Sequence, residues 1–317
     1  MGERWPALDF EAEKSVYATV HAYLQVIGKL PTRALPWCNH SWHLALLVVP
    51  QGLRTYPVVT ETGEAEILFD CLESRVVLTT SDGRTGVIAL EGQSVATFHA
   101  QLQALLEKAD VRTAIRGAPN EVEDAVPFHE DDRERSWDAE VVRRLHRAFA
   151  DAARVLTQFR TGFVGKSSPV HLFWGSFDLA VTRFSGREAP LHPGGFPNLP
   201  DRVTREAYSH EVASFGFWPG GGGVNEAAFY AYGYPTPEGL GGAALEPSAA
   251  YWHGDLGEFV LPYEAVRAAD DPEAALLAFL ETSYAAVASR ADWDRERLEI
   301  PLGSFGAPYD VVAHRNR

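Results

Sequence analysis

The sequence predicts an α+β fold: two pseudo-repeated helix–antiparallel-meander–helix units packed around a shared sheet core. Three observations predict it. Hydrophobic spacing passes twice from a helical period to a series of short strands and back to a helix. An acidic connector separates the two cycles. Short matching segments stand at nearly the same offset in both: Ile27-Gly28-Lys29 against Val164-Gly165-Lys166, and Ser41-Trp42-His43-Leu44-Ala45 against Ser176-Phe177-Asp178-Leu179-Ala180. In that register His43 and Asp178 are counterparts at a helix-to-strand joint.

The first unit covers residues 1–120. A helix opens after Asp9, with Tyr17, Val20, Leu24 and Ile27 on one face, and stops near Gly28. The segment WCNHSWHLALLVVP, rich in Val, Leu and Trp and bounded by prolines, reads as a buried strand. Strands follow over Leu53–Val59, Glu64–Leu72, Arg75–Thr80 and Gly86–Leu90, with Asp82-Gly83 as a hairpin turn. Ser94 caps a helix whose apolar face is Val95, Phe98, Leu102 and Leu105. Residues 121–136 read as a solvated acidic linker. The second unit, residues 137–300, starts with the strongest helix signal, Trp137–Arg160. Its stripe is Val141, Leu145, Ala148, Ala152, Val155 and Phe159. Strands are expected over Val170–Phe184, Val212–Trp218, Ala227–Tyr234 and Glu258–Leu261. Asp271-Pro272-Glu273 opens a last helix. Residues 301–317 read as a C-terminal tail.

The 317 residues, 46% of them hydrophobic and 22% charged, suit a packed globular chain. A net charge of −15 repels phosphate backbones and anionic lipid, which argues against nucleic-acid and membrane partners. Cys38 and Cys71 are far apart and form no C-x-x-C pair, and the first residues lack an apolar leader. A cytoplasmic, reducing location is expected.

Chemistry-bearing residues gather in a few places. Asn39-His40-Ser41-Trp42-His43 puts two histidines at a strand entry. On a strict alternation, Trp174, Ser176, Asp178, Ala180 and Thr182 share one face and His171 lies on the other. A carboxylate in so apolar a strand needs a partner, and Arg183 or Arg187 can supply one. His210-Glu211 offers a ligand beside a base. Tyr230, Tyr232 and Tyr234 alternate along one face, and Glu258 is a further candidate carboxylate. Gly165-Lys166-Ser167 is not a phosphate loop, because it follows a helix instead of a strand.

The blocks PWCNHSWHLAL, GKSSPVHLFWGSFDLAVTRFSGR, REAYSHEVASFGFWPGGG and GEFVLPYEAVR resemble those of the bacterial domain-of-unknown-function family DUF5996. The resemblance covers nearly the whole chain and implies a bacterial intracellular protein. It implies no activity, cofactor or site residue.

The residues themselves suggest an intracellular small-molecule enzyme with a His/acid site between the two repeats. Glu211 and Asp178 are the expected catalytic groups, and Trp174, Arg183, Trp218 and Tyr232 the binding groups. His43, His171, His210 and Asp178 would be ligands to a divalent transition metal. The alternative is a non-catalytic ligand-binding or partner-binding module with an aromatic-lined cleft.

Overall fold

The computed structural model describes residues 4–61, 63–111, 115 and 117–312. Helix α1 spans Phe10–Ala34, and Asp9 caps it by accepting the Ala12 N–H at 3.1 Å. The helix does not stop at Gly28. That glycine marks a close approach: a Cβ there would lie 2.2 Å from the Trp174 ring. The segment read as the first strand begins as a 3₁₀ turn, Asn39–Leu44. His40 and Ser41 take φ of 58° and 59°, which no strand allows. Only Leu47–Val49 is strand β1.

Strands β2 (Gly52–Arg54), β3 (Val58–Val59), β4 (Glu64–Asp70), β5 (Arg75–Thr80) and β6 (Thr85–Ala89) complete the first antiparallel sheet. Its order is β1-β2-β4-β5-β6, with β3 also on β4. Helix α2, Val95–Lys108, returns against β6, and the Ser94 hydroxyl caps it at Thr97 N–H.

The connector is not simply solvated. Phe128 and Asp131 are buried. Asp131 takes the guanidinium groups of Arg133 and Arg135. Glu121 is half-buried.

Helix α3, Ala139–Thr161, is capped by Asp138 and buries its whole expected stripe. Then come β7 (His171–Phe173), β8 (Asp178–Glu188), α4 (Asp201–Ala207), β9 (His210–Trp218), β10 (Ala228–Tyr234), β11 (Tyr251–His253) and β12 (Glu258–Pro262). Helices α5 (Tyr263–Arg267), α6 (Pro272–Arg290) and α7 (Arg295–Leu298) end the order. The second sheet is antiparallel with order β11-β12-β10-β9-β8-β7. Its edge meets the first sheet at Leu46 and Leu172, which exchange two N–H···O bonds of 2.8 Å each. The chain is thus α+β, with two antiparallel sheets bridged edge to edge over one hydrophobic core. Among the described residues no helix is long and apolar enough to cross a membrane.

Two features of the sequence reading are corrected here. Residues 170–184 form a hairpin, not one strand: the chain turns over residues 174–177, with Phe177 at φ 58°. Phe173 therefore pairs with Asp178 and His171 with Ala180. Cross-strand partners share a face, so His171 and Asp178 lie on the same face, not on opposite ones. The hairpin also breaks the matched joints. His43 precedes the first strand of its sheet, whereas Asp178 opens the second strand of the other.

The two faces of the second sheet differ in cover. Leu179, Val181, Phe215, Phe217 and Phe229 point to the side where α3 and α6 pack, and all are fully buried. Burying each such side chain is worth roughly 1.5–3 kcal/mol. Asp178, Thr182, Ser214, Tyr230 and Tyr232 point the other way. Among the described residues no long helix packs along that face. The 3₁₀ turn, α4 and residue Glu121 close over it and leave a cleft.

A cleft floored by buried acid and phenol groups

The cleft has a volume of about 760 Å³, within the usual range for small-molecule sites. Its floor is the open face of β8, β9 and β10. Its walls are Trp37, Trp42, Trp174, Phe184 and Tyr208. Trp37 and Phe196, 48% and 41% exposed, form apolar lips.

Asp178 is the centre of the floor, 6% exposed. One carboxylate oxygen accepts from the Ser176 hydroxyl and the other from the Tyr230 phenol. Burial raises its pKa, and these two bonds oppose the rise. The expected partners are elsewhere. Arg183 points to the helix side, where its guanidinium lies 3.6 Å from the Phe159 ring centre and 4.4 Å from that of Tyr284. Arg187 pairs with Glu211 at 2.7 Å.

Two more acids share Asp178's field. Burial, and then the Asp178 charge, push Glu258 up to about 8. The same two causes push Glu121 up to about 7, opposed by Lys29. Burial in turn draws Lys29 down to about 8. Tyr208 and Tyr232 exchange a phenol–phenol bond of 2.7 Å, and Thr182 and Ser214 a hydroxyl–hydroxyl bond of 2.9 Å. Two hydroxyls lining the cleft, those of Ser41 and Thr204, have no partner although the residues are 8% and 2% exposed.

A second polar group stands beside the 3₁₀ turn. His40 Nδ1 lies 2.9 Å from the Ala207 carbonyl, to which it donates. That fixes the tautomer and leaves Nε2 as acceptor for the Lys166 ammonium at 2.6 Å. The Glu206 carboxylate accepts the His40 backbone N–H at 2.9 Å. The His210 ring centre lies 6.4 Å from that of His40. Burial is the main reason His40 stays below the ordinary histidine range.

Of the residues expected in a site, Asp178, Trp174 and Tyr232 line the cleft. The others do not meet there. Glu211 alternates with Val212 and so faces the helix side. Trp218 stacks against Tyr230 at 4.6 Å, outside the lining. His43 accepts the Cys38 N–H at 3.2 Å and packs on Trp37. His171 is fully buried beside Phe173, with neither ring nitrogen bonded. Among the described residues no three His, Cys, Asp or Glu side chains are placed to hold a metal. The expected ligands His43, His171, His210 and Asp178 are not brought together as one such group.

A family model matches residues 5–300. The chain belongs to DUF5996, a family of unknown function. No curated protein and no solved structure matches it significantly. Within this DUF5996 chain, sequence reasoning missed Glu121, Tyr208, Glu206 and Thr204 as cleft residues. Glu121 read as part of a charge run, and helix α4 carries too little periodicity to be seen. A larger depression, about 1440 Å³, runs along the solvent side of α3. Its charges are already paired: Arg144 with Glu13, Arg143 with Glu140, Arg147 with Asp151, and Arg154 with Asp151 and Glu273. The acid–phenol cleft is the better candidate.

The raised acids make a stability prediction. A carboxyl whose folded pKa lies above its unfolded value stabilises the fold while protonated. That contribution is present below the unfolded pKa and is lost as pH rises through the folded one. For Glu258 the window runs from about 4.5 to about 8. Glu258→Gln should therefore gain on the wild type across that window, by on the order of a few kcal/mol. Urea midpoints at both ends measure it, and an unchanged difference would refute the assignment.

Proposed function

We propose that this chain binds a small organic molecule in the cleft on the open face of the second sheet, with Asp178 as the anchoring group. The observation that carries this is Asp178 itself. Burying a carboxylate is costly, and a purely structural one would be surrounded by donors. Asp178 is held by hydroxyl donors alone, with no Lys or Arg ion pair among the described residues, and it lines a cavity with aromatic walls. Apolar walls with a few convergent polar groups are the usual make-up of a ligand site.

A thermal-shift screen of metabolite fractions, run on the wild type and on Asp178→Asn, tests the proposal. The expected result is a fraction that raises the melting temperature of the wild type and not of the variant. Equal shifts in both proteins would remove Asp178 from the site. Asp178→Ala should cost about 2–4 kcal/mol in urea unfolding, because it strands the Tyr230 and Ser176 hydroxyls and opens space beneath them.

A second reading, a proton-transferring enzyme, is favoured by His40. Its tautomer is fixed and burial favours its neutral form, so a substrate that displaces the Lys166 ammonium would meet a basic Nε2. Once a ligand is found, NMR of that ligand over time separates the readings. Turnover by the wild type and none by His40→Gln supports an enzyme. Binding without change supports a binding module.

A further inference from the structure

We infer that the ligand of this cleft is a cation, an alkyl- or arylammonium whose nitrogen sits at the inner end beside Asp178, Tyr230 and Tyr232. The inference rests on the reading of the cleft as a ligand site and names the chemistry of its ligand.

Charge is the first reason. Asp178 and Glu121 both line the cleft, Glu258 opens the strand that pairs with the Tyr230–Tyr232 strand of its floor, and the Asp178 charge acts on both of the other acids. They come from three separate parts of the chain, so the cluster is a product of the fold and not of a local charge run. Lys29 opposes Glu121 from α1, and its ammonium is already bonded to Asn120. The other charged or titratable groups by the cleft, Arg202, Lys166, His40, His210 and Glu206, belong to α4, the 3₁₀ turn and its neighbours. The inner end therefore carries an excess of acid.

The second reason is the walls. Trp174, Tyr208, Tyr230 and Tyr232 bring aromatic rings to the same end. Ring faces attract a cation, most strongly where water is displaced. The chain uses this contact itself: the Lys29 ammonium lies 5.1 Å from the Trp174 ring centre. Third, one carboxyl oxygen of Glu258, on the strand paired with the Tyr230–Tyr232 strand, is buried and has no hydrogen-bond partner. As an acceptor it suits an N–H group of an ammonium. The net charge of −15 adds a long-range field that draws cations inward.

Cation binding also has a proton signature. In the free chain, burial holds part of the acid cluster protonated. A cation favours the carboxylates, so binding expels protons, and affinity rises with pH until the cluster is fully ionised.

The test is a titration of the full chain with benzylammonium, benzyl alcohol and benzoate, followed by tryptophan fluorescence at about pH 6 and about pH 8. The three probes share a ring and differ in charge. The expected result is benzylammonium binding at least about tenfold tighter than benzyl alcohol, a preference that grows at the higher pH, with benzoate weakest. Glu121→Gln, which keeps the size of the side chain, should reduce both the preference and its pH dependence, and Asp178→Asn should remove them. Benzyl alcohol or benzoate binding as tightly as benzylammonium would overturn the cation assignment and leave the ligand site standing. Failure of all three probes to bind would count against the site and the cation alike.

Discussion

Gly28→Val should be among the most destabilising substitutions in this chain, costing about 3 kcal/mol or more. Gly28 lies on α1 where the helix crosses the Trp174 indole, and even a Cβ would fall 2.2 Å from the ring. Neither the helix nor the ring has free space. Overpacking of a close-packed core costs about 1–3 kcal/mol. Displacing Trp174 also breaks its indole N–H bond to the Leu44 carbonyl, 2.9 Å long, at about 1–3 kcal/mol for a buried donor left unpaired. Trp174 is a wall of the cleft, so ligand binding should weaken together with stability. Urea unfolding of Gly28→Ala and Gly28→Val checks this as a graded series. A valine variant as stable as the wild type would show that the ring has room to move.

His171→Leu should stabilise the protein, and more in acid than near neutrality. The imidazole is fully buried on β7, neither nitrogen has a partner, and burial holds its pKa down to about 3. A histidine with a depressed folded pKa is protonated in the unfolded chain but not in the native one, between about 3 and about 6.5. Stability is then lost as pH falls through that window. Leucine removes the titrating group. It also removes two unsatisfied polar atoms, which is favourable at every pH. The gain over wild type should grow by on the order of a few kcal/mol between about pH 7.5 and about pH 4.5. Urea midpoints at the two pH values decide it, and a gain that stays constant would mean that His171 titrates normally.

Both predictions concern residues that the sequence pointed to for other reasons. Gly28 reads as a helix stop because glycine is the usual residue there, and a close helix–indole contact has no local signal. His171 reads as a metal ligand because histidine is the commonest one, and its solitude shows only when the neighbouring elements are in place. The same holds across the cleft. Asp178 was legible from the cost of burying an acid and Tyr232 from the alternation of the tyrosines, whereas Trp174 was placed by an alternation that the hairpin breaks. Glu121 and Thr204 were not, because each reaches the cleft on a segment whose own pattern is that of a loop.

The sequence by itself determined the fold class and the order of helices and meanders. These follow from hydrophobic period and capping, which act over a few residues: Asp9, Ser94, Asp138 and Asp271 all cap the helices they precede. It also determined that Asp178 would need a partner and that Tyr230, Tyr232 and Tyr234 would alternate along one face. Only the tertiary structure decided which partners they have. The hairpin at residues 174–177 turns His171 and Asp178 to one face, the Leu46–Leu172 bridge joins the two sheets, and α4 closes over the open face of the second sheet. Each of these depends on contacts between residues far apart in the chain. Local pattern carries no information about such contacts, since they are set by how whole elements pack.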